Sequence, residues 1–300
     1  MKRLAVAAAL VGLMADREIE PFHATFSIVC RDPESGDFAV GVTTMPRAVR
    51  RHCPYARAGV GAVSTQALTN ASYGPRGLDL MAAGKTPEEA IKELTEADRG
   101  RDQRQVGMID AKNAAFSYTG TRCIPYAGHI VGKDYAIQGN LLVSEETLKA
   151  VEKTFNTTPG SLAGRILAAL AAGKAAGGDK RGHSSCAVIV ASKRAEEGKL
   201  LVDISEDNNP EPVDVVRQKF LKECVAWMEP GDRVMERGVE GPDVKLFTAE
   251  LKALKLLADP SEVYTEAVEA AVRKLQSQSG LEQTGKADAA TVKALREREY

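Results

Sequence analysis

The chain has almost no net charge, no closely spaced cysteine pair and no GxSxG sequence, and each absence removes a class of chemistry. Its 40 Lys and Arg residues against 41 Asp and Glu leave a formal charge of −1 over 300 residues. Wholesale nucleic-acid binding needs a basic face, so no nucleic-acid partner is expected. The one local basic cluster, Arg47, Arg50 and Arg51 in "RAVRR", reads as a solvated loop, with an anion site as the alternative. Five cysteines (Cys30, Cys53, Cys123, Cys186, Cys224) are odd in number and widely spread. A disulfide framework or zinc site has tighter spacing, and His183 three residues before Cys186 has no second ligand pair to accompany it. No metal or other cofactor is expected. Without GxSxG there is no nucleophile elbow for a serine triad. "GVG" at 59–61 lacks the third glycine of a dinucleotide fingerprint, and "AGGDKRG" leads into a strand rather than a helix. The longest N-terminal apolar run, Leu4 to Ala15, is too short for a bilayer span of roughly 20 residues.

What is present begins with that run. Lys2 and Arg3 precede it, which is the charged and apolar order of a secretory signal; a buried or frayed helix is the alternative. Cleavage before Asp16 leaves Leu13 and Ala15 at −3 and −1, and cleavage before Thr25 leaves Phe22 and Ala24. Only −1 is small in either case. "ATFSIVC" and "DFAVGVTT" are apolar, β-branched runs around the turn residues Pro33, Ser35 and Gly36, a β-hairpin pattern. "GVGAVSTQA" (59–67) is a third strand. Two helices follow, "GPRGLDLMAAG" and "TPEEAIKELTEAD", the second with Thr86, Pro87 and Glu89 set for a capping box. "RQVGMID" and "NAAFSYTG" pair as strands, "YAIQGNLLVS" is another, and Ser144 is placed to cap "EETLKAVEKTF". After the apolar helix "SLAGRILAALAAGKAAG", "CAVIVAS" and "KLLVDISE" form a last hairpin.

Strand hairpins with helices inserted in pairs predict an α+β fold of antiparallel sheets covered by helices rather than parallel βαβ units. Length allows about two domains. "PGDRVMERGVEGPD" reads as a linker, followed by a helix "FTAELKALKLLAD" and a helix pair. One apolar face of that pair is Val268, Ala271, Val272 and Leu275, the other Val292 and Leu295, with Asp288 set to cap the last helix. The division is therefore 1–24 leader, 25–229 main domain, 230–300 linker and helical module.

The stretches "TFSIVCRDPESGDFAVGV", "ARAGVGAVSTQALTNASYGPRGL", "GRDQRQVGMID", "YTGTRCIPYAGH", "YAIQGNLL" and "AAGGDKRGHSS" occur in order over about residues 25–215. Together they resemble a bacterial domain-of-unknown-function family with the N-terminal-nucleophile (Ntn) hydrolase fold. The pattern "AVRKLQSQSGLEQTGKADAATVKAL" resembles a peptidoglycan-binding-like helical module. The resemblance implies an αββα sandwich and Thr25 as a nucleophile once residues 1–24 are removed. Two stretches depart from the expected pattern, "MPRAVRRHC" (45–53) and "HSSC" after "KRG", and both bear on substrate specificity.

A free α-amine, with a pKa of roughly 7.7–8.0, can take the proton of its own residue's hydroxyl at neutral pH, which an acylated residue cannot arrange. The resemblance gives the remaining candidates. Gln138 and Asn140 are amide donors for an oxyanion, and Thr65, Gln66 and Asn70 line the site. Asp179 and Arg181 orient the amine or bind a substrate carboxylate, with His129 and Ser185 as further site residues. For each, local turn or sheet bonding is the alternative, and for Thr25 the alternative is a simple strand position. The expected activity is an exported, periplasmic or secreted amidohydrolase acting on a small-molecule or peptide amide. Its tail would hold it on cell-wall glycan or peptide, and a homo-oligomer is expected. The alternatives are a non-catalytic envelope-binding protein of the same fold and a cytoplasmic enzyme whose chain starts near Thr25.

Overall fold

A computed structural model describes residues 25–112, 114–158, 161–226, 234–240 and 242–299. The leader over 1–24 and part of the expected linker lie outside the described residues. In chain order the elements are β1 (Thr25–Arg31), β2 (Phe38–Thr44), α1 (Val49–His52), β3 (Pro54–Arg57), β4 (Gly61–Ala67), α2 (Tyr73–Ala82), α3 (Pro87–Glu96), β5 (Arg104–Asp110) and β6 (Ala115–Thr119). Then come β7 (Gly128–Gly132), β8 (Tyr135–Asn140), α4 (Glu146–Thr157), α5 (Leu162–Ala175), β9 (Ser185–Ala191), β10 (Val202–Asp207) and α6 (Pro212–Ala226). The C-terminal helices are α7 (Pro242–Ala253), α8 (Glu266–Gln278) and α9 (Ala289–Glu299).

The strands form two antiparallel sheets, β10-β9-β2-β1-β8-β7 and β3-β4-β5-β6. Alternation along each strand sends successive side chains to opposite faces. In β1, Phe26, Ile28 and Cys30 pack with Leu148, Val151, Ile166 and Leu170 of α4 and α5, while Val29 faces the second sheet with Ala62 and Ile109. Burying a side chain such as Phe26 is worth roughly 1.5–3 kcal/mol. Gly41 on β2 lets α5 approach closely: a Cβ there would fall 2.1 Å from Ile166 Cγ2. The second sheet packs its other face, Val63, Val106 and Met108, on Tyr73, Leu78, Ile91 and Leu94 of α2 and α3. The result is four layers, helix–sheet–sheet–helix, the αββα sandwich that the resemblance implies.

Local signals act as the sequence pattern predicts at several ends. Thr86 and Glu89 form the capping box of α3 with Pro87 in its first turn, and Asp288 Oδ1 accepts from Thr291 N at 2.8 Å at the start of α9. Elsewhere the structure differs. β8 stops at Asn140 rather than running to 144, because Leu141 turns to a positive φ of 54°. The residue preceding α4 is Glu145, and Ser144 Oγ accepts from Glu146 N at 3.3 Å. The short strands β3 and β7 and the helices α1 and α6 add to the elements read from the pattern.

The helices α7–α9 have their own core, in which Phe247 and Leu251 pack with Tyr264, Val268, Val272, Leu275, Val292 and Leu295. Met235 and Glu240, within the stretch that reads as a linker, bridge to Ala287 and Val263 of this module.

Candidate active site

The registers of four strand pairs set one row of polar side chains across the first sheet. Thr25 on β1 lies opposite Asn140 on β8 and Thr44 on β2; Thr44 lies opposite Ser185 on β9, and Ser185 opposite Asp207 on β10. All five face the layer between the sheets, because Val29 and Val40, an even number of residues along β1 and β2, are in that layer's apolar cluster. The layer is thus polar at this end and aliphatic further in. Thr25 is fully buried, and its Oγ1 is 3.0 Å from Thr44 Oγ1.

Beneath the row is a lattice of side-chain amides. Gln66 Nε2 donates to the Thr25 carbonyl at 3.1 Å, to Gln105 Oε1 at 2.8 Å and to the Gln138 carbonyl at 3.3 Å. Two N–H groups serving three acceptors make one of these bonds shared. Gln105 Oε1 also accepts from Asn140 Nδ2 at 3.0 Å. Its Nε2 donates to the Gly139 carbonyl at 2.8 Å and to Thr119 Oγ1 at 2.9 Å. Ser27 Oγ donates to Gln66 Oε1 at 2.6 Å and accepts from Gln138 Nε2 at 2.5 Å. Gln138 Oε1 reaches Ser117 Oγ at 3.3 Å. The amide oxygens of Gln66, Gln105 and Gln138 accept and their nitrogens donate, so the network fixes the orientation of these three amides. Gly107 makes room: a Cβ there would fall 2.1 Å from Gln138 Oε1.

The rim is formed by the turn 179–183. Asp179 Oδ2 accepts from Met45 N, one residue beyond Thr44, at 3.1 Å, and Lys180 N donates to the Leu141 carbonyl, one residue beyond Asn140, at 3.1 Å. The turn therefore touches both strands that flank Thr25. Burial raises the Asp179 pKa, against the pull of Arg181, which pairs with it at 3.3 Å. His183 sits behind the turn. Its Nε2 accepts from Asp179 N at 3.4 Å, so its Nδ1 carries the proton and donates to Thr43 Oγ1 at 3.2 Å; Thr43 Oγ1 donates on to the Ser185 carbonyl at 3.0 Å. Burial, assisted by Lys174, pushes the imidazole down to about 4, so it is neutral near pH 7.

Of the residues singled out in the sequence, Thr25, Asn140, Gln138, Gln66, Asp179, Arg181 and Ser185 converge at this end of the sandwich. Ser185 Oγ donates to Asp207 Oδ1 at 2.5 Å and accepts from Val49 N at 3.1 Å, anchoring α1. Three others lie elsewhere. Thr65 alternates to the opposite face of β4 from Gln66 and donates to the Asn70 carbonyl at 3.2 Å. Asn70 donates to Asp98 at 3.1 Å and accepts from Ser72 N at 3.2 Å, shaping the entry to α2. His129 is exposed on β7, the sheet's edge strand, opposite Gln138 in register, with its Nδ1 2.9 Å from Thr119 Oγ1. In the basic cluster, Arg50 forms a two-pronged pair with Asp203 at 2.5 and 2.7 Å. Residues that sequence reasoning passed over are Ser27, Thr44, Gln105 and Asp207; His183 entered it only as a metal-ligand candidate and as part of the divergent "HSSC" stretch. The alternation of "RQVGMID" was the available signal for Gln105.

Two antiparallel sheets between helical layers, with a polar row at one end of their interface, define an αββα sandwich protein carrying a helical appendage. The chain belongs to the family of unknown function DUF1028, whose model matches residues 25–216, and carries a peptidoglycan binding domain over residues 240–295. Among solved structures it is similar to protein SPO2555 from Silicibacter pomeroyi, of the same family. That similarity has 26% identity over 66% of this chain and 88% of that one, with a TM-score of 0.62. A match to Anbu, the ancestral β-subunit from Yersinia bercovieri, has 11% identity over 69% of this chain and 99% of that one, with a TM-score of 0.31. No curated protein matches the chain.

Proposed function

We propose that the chain is an amidohydrolase of the N-terminal-nucleophile type, acting through Thr25 after removal of residues 1–24. The observation that carries this reading is the position of Thr25: on β1 within the polar row, between Thr44 and Asn140, its hydroxyl fixed by Thr44 and its carbonyl by Gln66. The family match begins at the same residue. Once freed, the Thr25 amine takes the hydroxyl proton as Oγ1 attacks the amide carbonyl carbon. The C–N bond then breaks, the proton passes to the departing amine, and an ester on Oγ1 is left. Water hydrolyses that ester with the same amine as base. Asn140, opposite Thr25 in register, is the nearer of the two candidate oxyanion donors; Gln138 lies one pair deeper, bonded to Ser27. Asp179 and Arg181 at the rim supply the charge for a substrate carboxylate or for orienting the amine. The peptidoglycan binding domain favours action at the cell envelope on cell-wall or other peptide amides, in a periplasmic or secreted setting.

The test is a mass measurement of the mature N-terminus combined with Thr25→Ala kinetics on a panel of amide substrates. A chain beginning at Thr25, and turnover lost in the folded variant, are the expected results. A mature protein that retains residues before Thr25 and still hydrolyses amides would falsify the mechanism.

A second reading is a non-catalytic envelope-binding protein. It is favoured by one observation, that Thr25 is fully buried. It expects no turnover from a chain that nevertheless binds cell wall.

A further inference from the structure

The C-terminal module carries a groove remote in sequence from the Thr25 row. Its volume is about 560 Å³, within the roughly 300–1,000 Å³ typical of ligand clefts. Helix α7 ends where Lys255 takes a positive φ of 58°, and the N–H groups of Leu256 and Leu257 turn back to the Leu251 carbonyl. That turn lays Leu256, Leu257 and Asp259 along one wall. The other wall is α8, where Ala267, Ala270 and Lys274 share a face at helical spacing. The alanines keep this wall low, so the groove stays open along its length.

Its chemistry discriminates between the two components of peptidoglycan. Sugar rings are held by aromatic faces that pack on their C–H bonds and by neutral polar side chains that match their hydroxyls. Among the described residues, the groove lining has no aromatic side chain and no neutral hydrogen-bonding one. It offers aliphatic surface with a cation on one wall and an anion on the other. Lys274 makes no ion pair among the described residues, and Asp259 has only an exposed pairing with Lys252 at 3.1 Å. Exposed pairs of that kind exchange readily for others.

We propose that this groove binds the peptide portion of peptidoglycan rather than its glycan. The small aliphatic side chains of the peptide lie on the alanine and leucine surface. A free carboxylate of the peptide meets Lys274, and an amine meets Asp259. The inference rests on the module's peptidoglycan binding family and requires no turnover at Thr25.

The test is co-sedimentation of the full chain with intact cell-wall sacculi and with sacculi stripped of their peptides by an amidase, leaving bare glycan. The chain with the native groove pellets with intact sacculi and not with bare glycan, and the released peptides compete. Lys274→Glu weakens binding by about tenfold, and Ala270→Phe, which fills the groove from an exposed helix position, does at least as much with an unchanged melting temperature. Equal binding to bare glycan, unaltered binding by both variants, or no sedimentation with intact sacculi overturns the proposal. Every chain in the test also carries Thr25→Ala, so no turnover alters the sacculi and the hydrolase reading stands or falls separately.

Discussion

Thr25 Oγ1 and Thr44 Oγ1 face each other at 3.0 Å across the β1–β2 pair, inside a layer where neither hydroxyl meets bulk water. The Thr44 hydroxyl therefore holds the orientation of the Thr25 oxygen. Thr44→Val keeps the shape and deletes the bond. Losing one such bond costs about 1 kcal/mol of stability. If the orientation serves catalysis, kcat on an amide hydrolysed by the wild type falls about tenfold or more with KM unchanged. An unaltered kcat would leave Thr44 with a packing role alone.

Gln105 is the point where the lattice is most exposed to damage. Gln105→Leu removes the acceptor of Asn140 Nδ2 and one of the three acceptors of Gln66, and leaving a buried donor unpaired costs about 1–3 kcal/mol. Chemical denaturation should show a loss of about that size. Gln105→Glu is more informative. A protonated Glu can still accept from both amides and donate to Gly139, whereas the carboxylate would face that carbonyl in a buried site. Its folded pKa is therefore raised, so its native-state stability is full at acid pH and is lost as pH rises through that value. Wild type should lack this dependence.

His183 gives the opposite slope. Its imidazole is held down to about 4 in the fold, against roughly 6.5 when unfolded. Between those values the unfolded chain binds a proton that the native state refuses, so the stability is whole above roughly pH 6.5 and declines as pH falls toward about 4. The amount is on the order of 3 kcal/mol. Urea denaturation at a series of pH values should show the decline in wild type and not in His183→Gln.

Gly107→Ala tests how closely the two sheets meet. The added Cβ would fall 2.1 Å from Gln138 Oε1, so either the Gln138 amide moves away from Ser27 and Ser117 or the sheets part. Overpacking of this kind costs about 1–3 kcal/mol. A melting temperature equal to wild type would show that Gln138 can turn aside without penalty.

The sequence pattern was informative wherever a side chain had to satisfy only its own element. The alternation in "TFSIVC" and "FAVGVTT" and the capping residues Thr86 and Asp288 needed no partner to be understood. Gln66, Gln105 and Gln138 are a different case. A glutamine alternating with apolar residues reads as a solvent-facing position on a one-sided sheet, and only a second sheet turns that face into an interior. The resemblance implies both Thr65 and Gln66 as site-lining residues, although period-two geometry sends them to opposite sides of β4. The strand β3 escaped because "PYAR" is short and begins with proline, and β7 because "GHIVG" is bounded by glycine at both ends. Helix α6 did carry a signal, in the spacing of Val213, Val216 and Phe220, all buried against the first sheet. His183 and Asp207 acquire their roles only when the turn 179–183 and the end of β10 are brought to the row, contacts that span well over a hundred residues.

The scaffold that carries Thr25 from below is built of neutral groups, amides, hydroxyls and peptide carbonyls. None of them gains or loses a proton across the range in which bacteria live, and none draws counter-ions. The footing of Thr25 is consequently indifferent to acidity and salt. Any response of the site to either enters through the ionisable side chains at its edges, Asp179 and His183 at the rim and Asp207 in the row.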